Sequence, residues 1–539
     1  MNEDIVWKIL DKYFKNNPSA LVNHHLESYN DFFNGGINQI FREKNPIKIV
    51  KLQDPDTKNF KLKANIYLGG KDGNKIYYGK PIIFDEYREH YMYPNEARLR
   101  NMTYGVSIHY DVDVDYTIED DENNISETSI TLDKIFLGRF PIMLMSDLCI
   151  LKGFDKNVRY MMGECRNDIG GYFIISGKEK VIISQEKFAD NMLYIRDKVN
   201  EIYSHSAEIR SVSEDASKPI RTLSIRIVAP SATLTNNQIV VNVPNVRKPV
   251  PLFILMRALG VISDKEIIET CLLDIDLYED YVELFRPSVH DANYIFTQRA
   301  ALKYIALLTK YKTISYVMMI LSSFLLPHIG ELNFKHKALY IGYMVKRLLG
   351  VYTKSERKTD RDSYSYKRIE IAGTLIYGLF REYYNKEFEK IRLEIDSEYH
   401  YEANFTKYQG IEFKELITTN RNKIFGHKIV EDGFRKAFKG NWGADAHTKR
   451  LGLVQDLNRL SFFGFLCQLR KTNLPMSADA AKIVSPRLLH ATQWGLLCPV
   501  HSPDGGNVGL HNHLSTSTII TKGSSSYPYI ELLRKLNVK

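Results

Sequence analysis

The sequence predicts an α+β, multidomain protein. Three observations carry that class: a length of 539 residues, a composition of 44% hydrophobic and 25% charged residues, and β-rich runs that give way to long stretches of helical periodicity. At about 150 residues per domain the length allows roughly three or four domains. The apolar content is enough to build cores and excludes global disorder.

The elements follow in order. The first part of the chain mixes short helices with β-rich runs such as "KLKANIYLGG" and "GGYFIISGKEKVIISQE". In the latter, Gly170, Gly171 and Gly177 punctuate two β-branched runs, a hairpin signal. From Glu201 a second β-containing block runs through "TLSIRIVAP" and "NQIVVNVPNV", and "PLFILMRALG" then opens a mostly helical stretch reaching Gly350. The apolar run Ser315–Gly330 is interrupted by serines and stopped by Pro327, so it reads as a core helix too short to span a bilayer. Thr353–Gly373 is highly charged without apolar periodicity and reads as a surface crossing. Helix resumes through "TLIYGLFREYYNKEFEKIRLEI", with apolar residues three and four apart. The last part combines a helix over "LVQDLNRLSFFGFLCQLRK" with irregular loops, of which "GLLCPVHSPDGGNVGL" (Gly495–Leu510) is the most distinctive. It is too apolar for a linker and too rich in glycine and proline for a helix or strand. Pro499 and Pro503 fix φ there, while Gly505, Gly506 and Gly509 permit close backbone approach.

The formal charge is +9, which suggests a polyanionic partner without proving one. Its distribution says more. Between Arg435 and Arg487 lie ten basic residues (Arg435, Lys436, Lys439, Lys449, Arg450, Arg459, Arg470, Lys471, Lys482, Arg487) against Asp445, Asp456 and Asp479. A charge run is most often a solvated face. Interleaved with apolar, helix-forming sequence just before the glycine-rich loop, this one raises a nucleic-acid reading.

Other chemistry is weighed against blander readings. Cys149, Cys165, Cys271, Cys467 and Cys498 contain no C-x-x-C pair, so neither a disulfide framework nor a four-cysteine zinc ribbon is supported. The start "MNEDIVWKIL" is acidic and has no signal-peptide core, and the expectation is an intracellular, reduced, soluble protein. In "DVDVDY", Asp111, Asp113 and Asp115 would share one strand face, as an oxygen-ligand metal site might require. An amphipathic strand with a solvated acidic face explains them better, and no metal is assigned there. Cys498, His501, His511 and His513, with His490 upstream, have a spacing that zinc could use. A half-buried cysteine among loop histidines is the preferred reading, and zinc is not expected. No nucleophile elbow and no phosphate-cradling glycine loop with Lys-Ser/Thr occurs, so hydrolase and NTPase readings lack support.

At "QDLNRLSFFGFLCQLRKTNLPM" and "SPRLLHATQWGLLCPVHSPDGGNVGL" the sequence strongly resembles the fork region of the second-largest subunit of multisubunit DNA-directed RNA polymerase, the eukaryotic and archaeal counterpart of bacterial beta. "LVNHHLESYNDFF", "YPNEARLRNMTY", "FLGRFPIMLMS", "GECRNDIGGYFIISGKEKVIISQEK", "DRDSYSYKRIEIAG" and "GNWG" resemble that family in its order, so the likeness covers nearly the whole chain.

The resemblance implies a protrusion over 15–196 and 367–428, a lobe over 197–366 inserted within it, a fork over 429–521, and the start of an external domain over 522–539. It implies the N-terminal portion of such a subunit, or one member of a split one. The composition, rich in Asn, Lys, Ile and Tyr, would suit a large DNA virus; residence would then be nuclear, in a cytoplasmic viral factory or in a virion. The implied activity is nucleotidyl transfer within a complex, with Mg²⁺ bound mainly by the largest subunit and no catalytic residue in this chain. The implied partners are the largest subunit, smaller assembly subunits, template DNA, the RNA transcript and NTP substrates, with no membrane. Family match puts a first fork loop at Gly443, Ala444, Asp445, Ala446 and His447. A second follows at Met476, Ser477, Ala478, Asp479, Ala480, Ala481, Lys482 and Ile483. Arg470, Arg487 and Asp504 are the implied supporting residues near the active centre. Arg450, Arg459, Arg470, Lys471, Lys482, Arg487 and Asn507 are the implied nucleic-acid contacts. Where the family usually reads "ETPEG" this chain has "HSPDG" (His501–Gly505), a shorter acid at Asp504 and a histidine for the other. A stand-alone nucleic-acid-binding module and, less well supported, a zinc-dependent enzyme are the rival readings.

Overall fold

The computed structural model describes residues 3–53, 59–85, 88–119, 125–197, 199–213, 218, 220–230, 237–401, 408, 410–446, 448–476, 482–521 and 526–536. The chain forms two compact units: one from residues 1–187 and 369–539, the other from Phe188–Arg368.

The first unit is built on a long antiparallel hairpin, Gly105–Glu119 with Ile125–Pro141, paired from Gly105↔Pro141 to Glu119↔Ile125. Strands Phe60–Leu68 and Ile47–Gln53 extend it on one side, and Ile76–Tyr78 pairs with it further along. Alternation does the work along Gly105–Glu119: Val106, Ile108, Tyr110, Val112, Val114, Tyr116 and Ile118 are all buried. The register shifts between Tyr110 and Val112, and Asp111 between them, on the face opposite those two, is covered by its neighbours. It is 7% exposed and accepts from the Tyr77 hydroxyl and the Lys134 amide, each at 2.8 Å. Asp113 is held by Lys75 (2.8 Å) and Asp115 by Lys71 (2.7 Å). The three aspartates are thus neither a ligand set nor the freely solvated face expected of them.

The helix Ala372–His400 lies against this sheet. Ala372, Ile376, Phe380, Tyr384, Glu387, Ile391, Ile395 and Tyr399, three or four apart, form its buried stripe. Phe380 sits among aromatic rings, with centroids 5.7 Å from Phe32, 5.9 Å from Phe140 and 6.3 Å from Phe434. The helix Asn23–Asp31 approaches so closely at Gly373 that an added Cβ would lie 1.9 Å from the Ser28 carbonyl oxygen. The expected hairpin forms as strands Phe173–Ile175 and Lys178–Ile182, turning at Ser176 and Gly177, both with positive φ.

Two readings are corrected. The charged crossing at Thr353–Gly373 contains a strand, Lys367–Glu370. The helix expected over 453–471 is only Phe462–Leu469. Ser461 caps its first turn by accepting from the Gly464 amide at 3.0 Å. Upstream, Val454–Asp456 pairs as a strand with Lys180–Ile182, so tertiary pairing overrides the apolar spacing.

The second unit carries an antiparallel meander of Leu193–Asp197, Tyr203–Ser211, Arg221–Val228, Ile239–Asn242 and Val250–Pro251. Helices from Leu252–Ala258 to Phe334–Tyr352 complete its core. The run at Ser315–Gly330 is helical through Phe324 and stops where Leu326 adopts a left-handed conformation before Pro327.

Gly373→Ala should cost about 3 kcal/mol through this overpacking. Gly378→Ala on the same helix, where nothing lies within 4 Å, should gain about 0.5–1 kcal/mol from helix propensity. Urea unfolding of both variants checks the pair.

Candidate functional site

The site grows from a short strand. Lys471–Asn473 runs parallel to Ser184–Gln185 on one side and antiparallel to His511–His513 on the other. Directly opposed residues share a face, so Lys471 and Asn473 lie with His513 and His511, while Thr472 points inward and is 1% exposed. A cavity of 420 Å³ opens over Lys471, lined also by Asn458, Phe463, Gln468, His501 and His513, with no carboxylate in its wall. The Lys471 ammonium has no hydrogen bond or ion pair among the described residues, and burial lowers its pKa. Burial also pushes His513 down to about 4, helped by the charges of His501, Lys471 and His511.

The glycine-rich loop beside it is fastened from several directions. The Arg487 guanidinium donates to the carbonyls of Gly506 (2.8 Å) and Val508 (2.9 Å). The Ser502 hydroxyl accepts from the Gly509 amide at 2.9 Å, and Leu474 N–H donates to Leu510 O at 2.9 Å. Gly509 has φ +71° and no room for a Cβ, which would sit 2.3 Å from the Arg487 carbonyl oxygen. A single turn, Gly505–Asn507, then leaves Asp504 and Asn507 exposed, and neither side chain has a hydrogen bond among the described residues.

Across the basic stretch the arginines and lysines part company. Arg450 pairs with Glu370 at 2.8 Å. Arg459 bonds Glu179 (2.8 Å) and the Tyr172 hydroxyl (3.0 Å), and lies 3.2 Å from Asp168. Its pKa is raised because the Glu179 bonds outweigh the burial that opposes them. Arg470 is 6% exposed and donates to the carbonyls of Leu21 (2.8 Å) and Ser515 (2.5 Å), leaving Nε without a partner. Burial lowers its pKa. Arg470, expected to lend charge near the active centre, is thus buried and ties three segments together through backbone carbonyls. Lys436, Lys439, Lys449 and Lys482 are exposed, with no side-chain partner among the described residues.

Gly443, Ala444, Asp445 and Ala446 fold back onto the long helix. The Ala444 amide donates to Glu382 (2.9 Å), and Lys386 reaches both Ala444 O and Asp445 at 2.8 Å. His447 lies outside the described residues, as do Ser477, Ala478, Asp479, Ala480 and Ala481; Met476 is half-buried and Lys482 and Ile483 are exposed. His501 and His513 stack face to face at 3.6 Å, and His490 Nδ1 caps the turn at Thr492. Among the described residues no group of three or more His, Cys, Asp or Glu is placed to hold a metal ion. No helix among them is long and apolar enough to cross a membrane. Sequence reading missed Ser502, Glu382 and Lys386; a serine inside the H-S-P-D-G run was the only local signal for any of them.

Comparison with known proteins gives the class. The family model described as RNA polymerase beta subunit matches residues 20–418, and that described as RNA polymerase Rpb2, domain 3, matches 455–520. Curated relatives refine it. One is DNA-directed RNA polymerase II subunit RPB2 of Encephalitozoon cuniculi, 34% identical across 99% of this chain and 45% of the relative. Another is DNA-directed RNA polymerase II subunit 2 of Arabidopsis thaliana, 33% identical across 99% and 45%. A third is the archaeal subunit Rpo2 of Saccharolobus shibatae, 30% identical across 96% and 42%. The chain belongs to the second-largest-subunit family of DNA-directed RNA polymerases, and it spans less than half the length of these relatives.

Two measurements probe the local physics. Arg98 bonds Glu164 and Glu179, each at 2.8 Å, and Glu164 is 5% exposed. Arg98→Ala leaves that carboxylate buried and should cost about 3–5 kcal/mol in urea unfolding. His25, 1% exposed, donates from Nε2 to Leu469 O at 2.7 Å, and burial holds its pKa at about 4. Its folded pKa lies below its unfolded one, so the unfolded chain binds the extra proton. Stability should be full above about pH 6.5 and fall by about 3 kcal/mol toward pH 4. His25→Gln should remove that component from the pH profile of the urea midpoint.

Proposed function

We propose that this chain forms one side of the active-centre cleft of a DNA-directed RNA polymerase, holding template DNA, the RNA–DNA hybrid and downstream strands. The observation that carries the reading is a juxtaposition within residues 455–520. There an acid-free cavity over Lys471 adjoins a clamped loop that presents Asp504 and Asn507 outward. Nucleic-acid phosphates are gripped by charge and shape rather than by base identity. A half-buried ammonium with no counter-charge suits a phosphate, which would offset the burial that disfavours its charge.

On this reading residues 15–196 and 367–428 are the protrusion, 197–366 the lobe, 429–521 the fork, and 522–539 the start of the external domain. The direct contacts fall to Lys471, Lys482, Asp504 and Asn507. Arg470 and Arg487 act through the backbone they hold, and Arg450 and Arg459 through the carboxylates they pair. In the reaction, the RNA 3′-hydroxyl oxygen attacks the α-phosphorus of an NTP, the bond from that phosphorus to the α–β bridging oxygen breaks, pyrophosphate leaves, and the hydroxyl's proton passes to solvent. Mg²⁺, bound mainly by the largest subunit, would stabilise the attacking and leaving oxygens. This chain's part is binding and orientation.

Partner subunits are also supported by exposed apolar surface. Leu460 is 94%, Val500 86% and Trp494 72% exposed, and no residue of the amphipathic helix Glu3–Asn16 is buried. Such surface marks a chain built into an assembly. The RNA polymerase II relatives favour a nuclear-type location.

Affinity purification of the tagged chain from its source tests the assignment. A largest subunit should co-purify with it; recovery of the chain alone at 62.4 kDa would overturn the reading. In the assembled enzyme, Lys471→Ala should weaken hybrid retention about tenfold to a hundredfold and lower the salt slope by about one. Arg450→Ala should leave that slope unchanged.

A further inference from the structure

A second cavity, of 390 Å³, lies in the first unit between the long hairpin and the helix Ile429–Phe438, away from Lys471 and its loop. Its apolar wall comes from Met102, Ile175, Phe434 and Phe438, and Phe84, 65% exposed, stands at its rim. Four cations surround the opening, Lys80, Arg139, Arg435 and Lys439, against one lining acid, Glu431. Arg435 is partly engaged, 3.4 Å from Asp432 and 3.8 Å from Glu431, and Lys80 donates to the Tyr91 hydroxyl at 3.3 Å. The side chains of Arg139 and Lys439 are exposed and have no hydrogen bond or ion pair among the described residues.

We propose that this cavity docks an acidic peptide segment of a partner protein, which buries an apolar side chain in the pit and sets its carboxylates against Arg139 and Lys439. The volume is at the small end of the range for ligand sites, roughly 300–1,000 Å³, and admits anchoring side chains rather than a folded domain. Methionine in the wall adapts to anchors of different shape. Charge complementarity selects the partner: a net basic ring around an apolar pit favours an acidic, amphipathic segment and repels a basic one. Single-stranded nucleic acid fits less well, because it asks for successive stacking faces along a basic track. Here the cations ring a single pit with one exposed aromatic side chain.

The test uses the full chain and a fluorescein-labelled synthetic peptide in which acidic residues alternate with leucine and phenylalanine. Saturable binding is expected by fluorescence polarisation, weakened at least tenfold by the double variant Arg139→Glu, Lys439→Glu and by Phe84→Ser. Both sets of positions are exposed, and circular dichroism checks that each variant folds. Lys48→Glu, an exposed charge reversal on another strand, should leave binding unchanged. A peptide with serine in place of its leucine and phenylalanine should not bind. No saturation up to roughly 1 mM, or binding indifferent to the double variant, sinks the proposal. Equal competition by an oligothymidylate strand would replace the peptide by nucleic acid and overturn it as well.

Discussion

Two arginines, one from each segment of the first unit, close on one shared acid, Glu179, and one shared hydroxyl, Tyr172, and the placement of the site depends on that closure. Arg98 reaches Glu164, Glu179 and the Tyr172 hydroxyl; Arg459 reaches Glu179, Asp168 and the same hydroxyl. Tyr172, fully buried, donates onward to Asp168 at 2.7 Å. Carboxylates as buried as Glu164 and Asp168 are tolerable only when their oxygens find partners, and here they do. Arg459 stands two residues before Ser461, which caps the helix leading into Arg470 and Lys471. The network therefore sets where that helix begins, and through it where the Lys471 ammonium emerges.

Chemistry divides the basic stretch into two populations. A guanidinium offers several donors in a rigid plane and can bridge carbonyls or carboxylates, whereas an ammonium is a compact charge on a flexible stem. The arginines accordingly hold segments together: Arg470 joins Leu21 to Ser515, Arg487 the turn at Gly506 to Val508, and Arg450 the strand at Glu370. The lysines keep their charge toward solvent or the cavity. A count of positive residues overstates the charge available to a ligand, and the surplus is structural.

What the sequence made legible was local. Three- and four-residue spacing marked the helix Ala372–His400, and Gly177 marked the hairpin turn. The glycines and prolines of Gly495–Leu510 marked an ordered loop, and family motifs marked the chain's membership. What stayed hidden was set by partners far along the chain. Arg459 and Glu179 are 280 residues apart. Val454–Asp456 is a strand because Lys180–Ile182 offers it an edge, although its own pattern continues a helix. Asp111 is held by the Tyr77 hydroxyl and the Lys134 amide, 34 and 23 residues away. The fate of each basic residue was equally invisible, since a carbonyl acceptor has no sequence signature.

The second unit starts and finishes at one spot, where the Ala189 amide donates to the Tyr366 carbonyl at 2.8 Å. Its position in the gene sets a schedule for biosynthesis. The hairpin and the helix Asn23–Asp31 leave the ribosome before the second unit, yet the helix that covers them begins only at Ala372, after about 180 residues of inserted chain. At ~5–20 residues per second that interval lasts on the order of ten to forty seconds. Over that interval Phe32, Phe41 and Phe140 lack the ring of Phe380 that each meets in the finished fold. The insertion thus delays completion of this aromatic core until the far side of the second unit has been made.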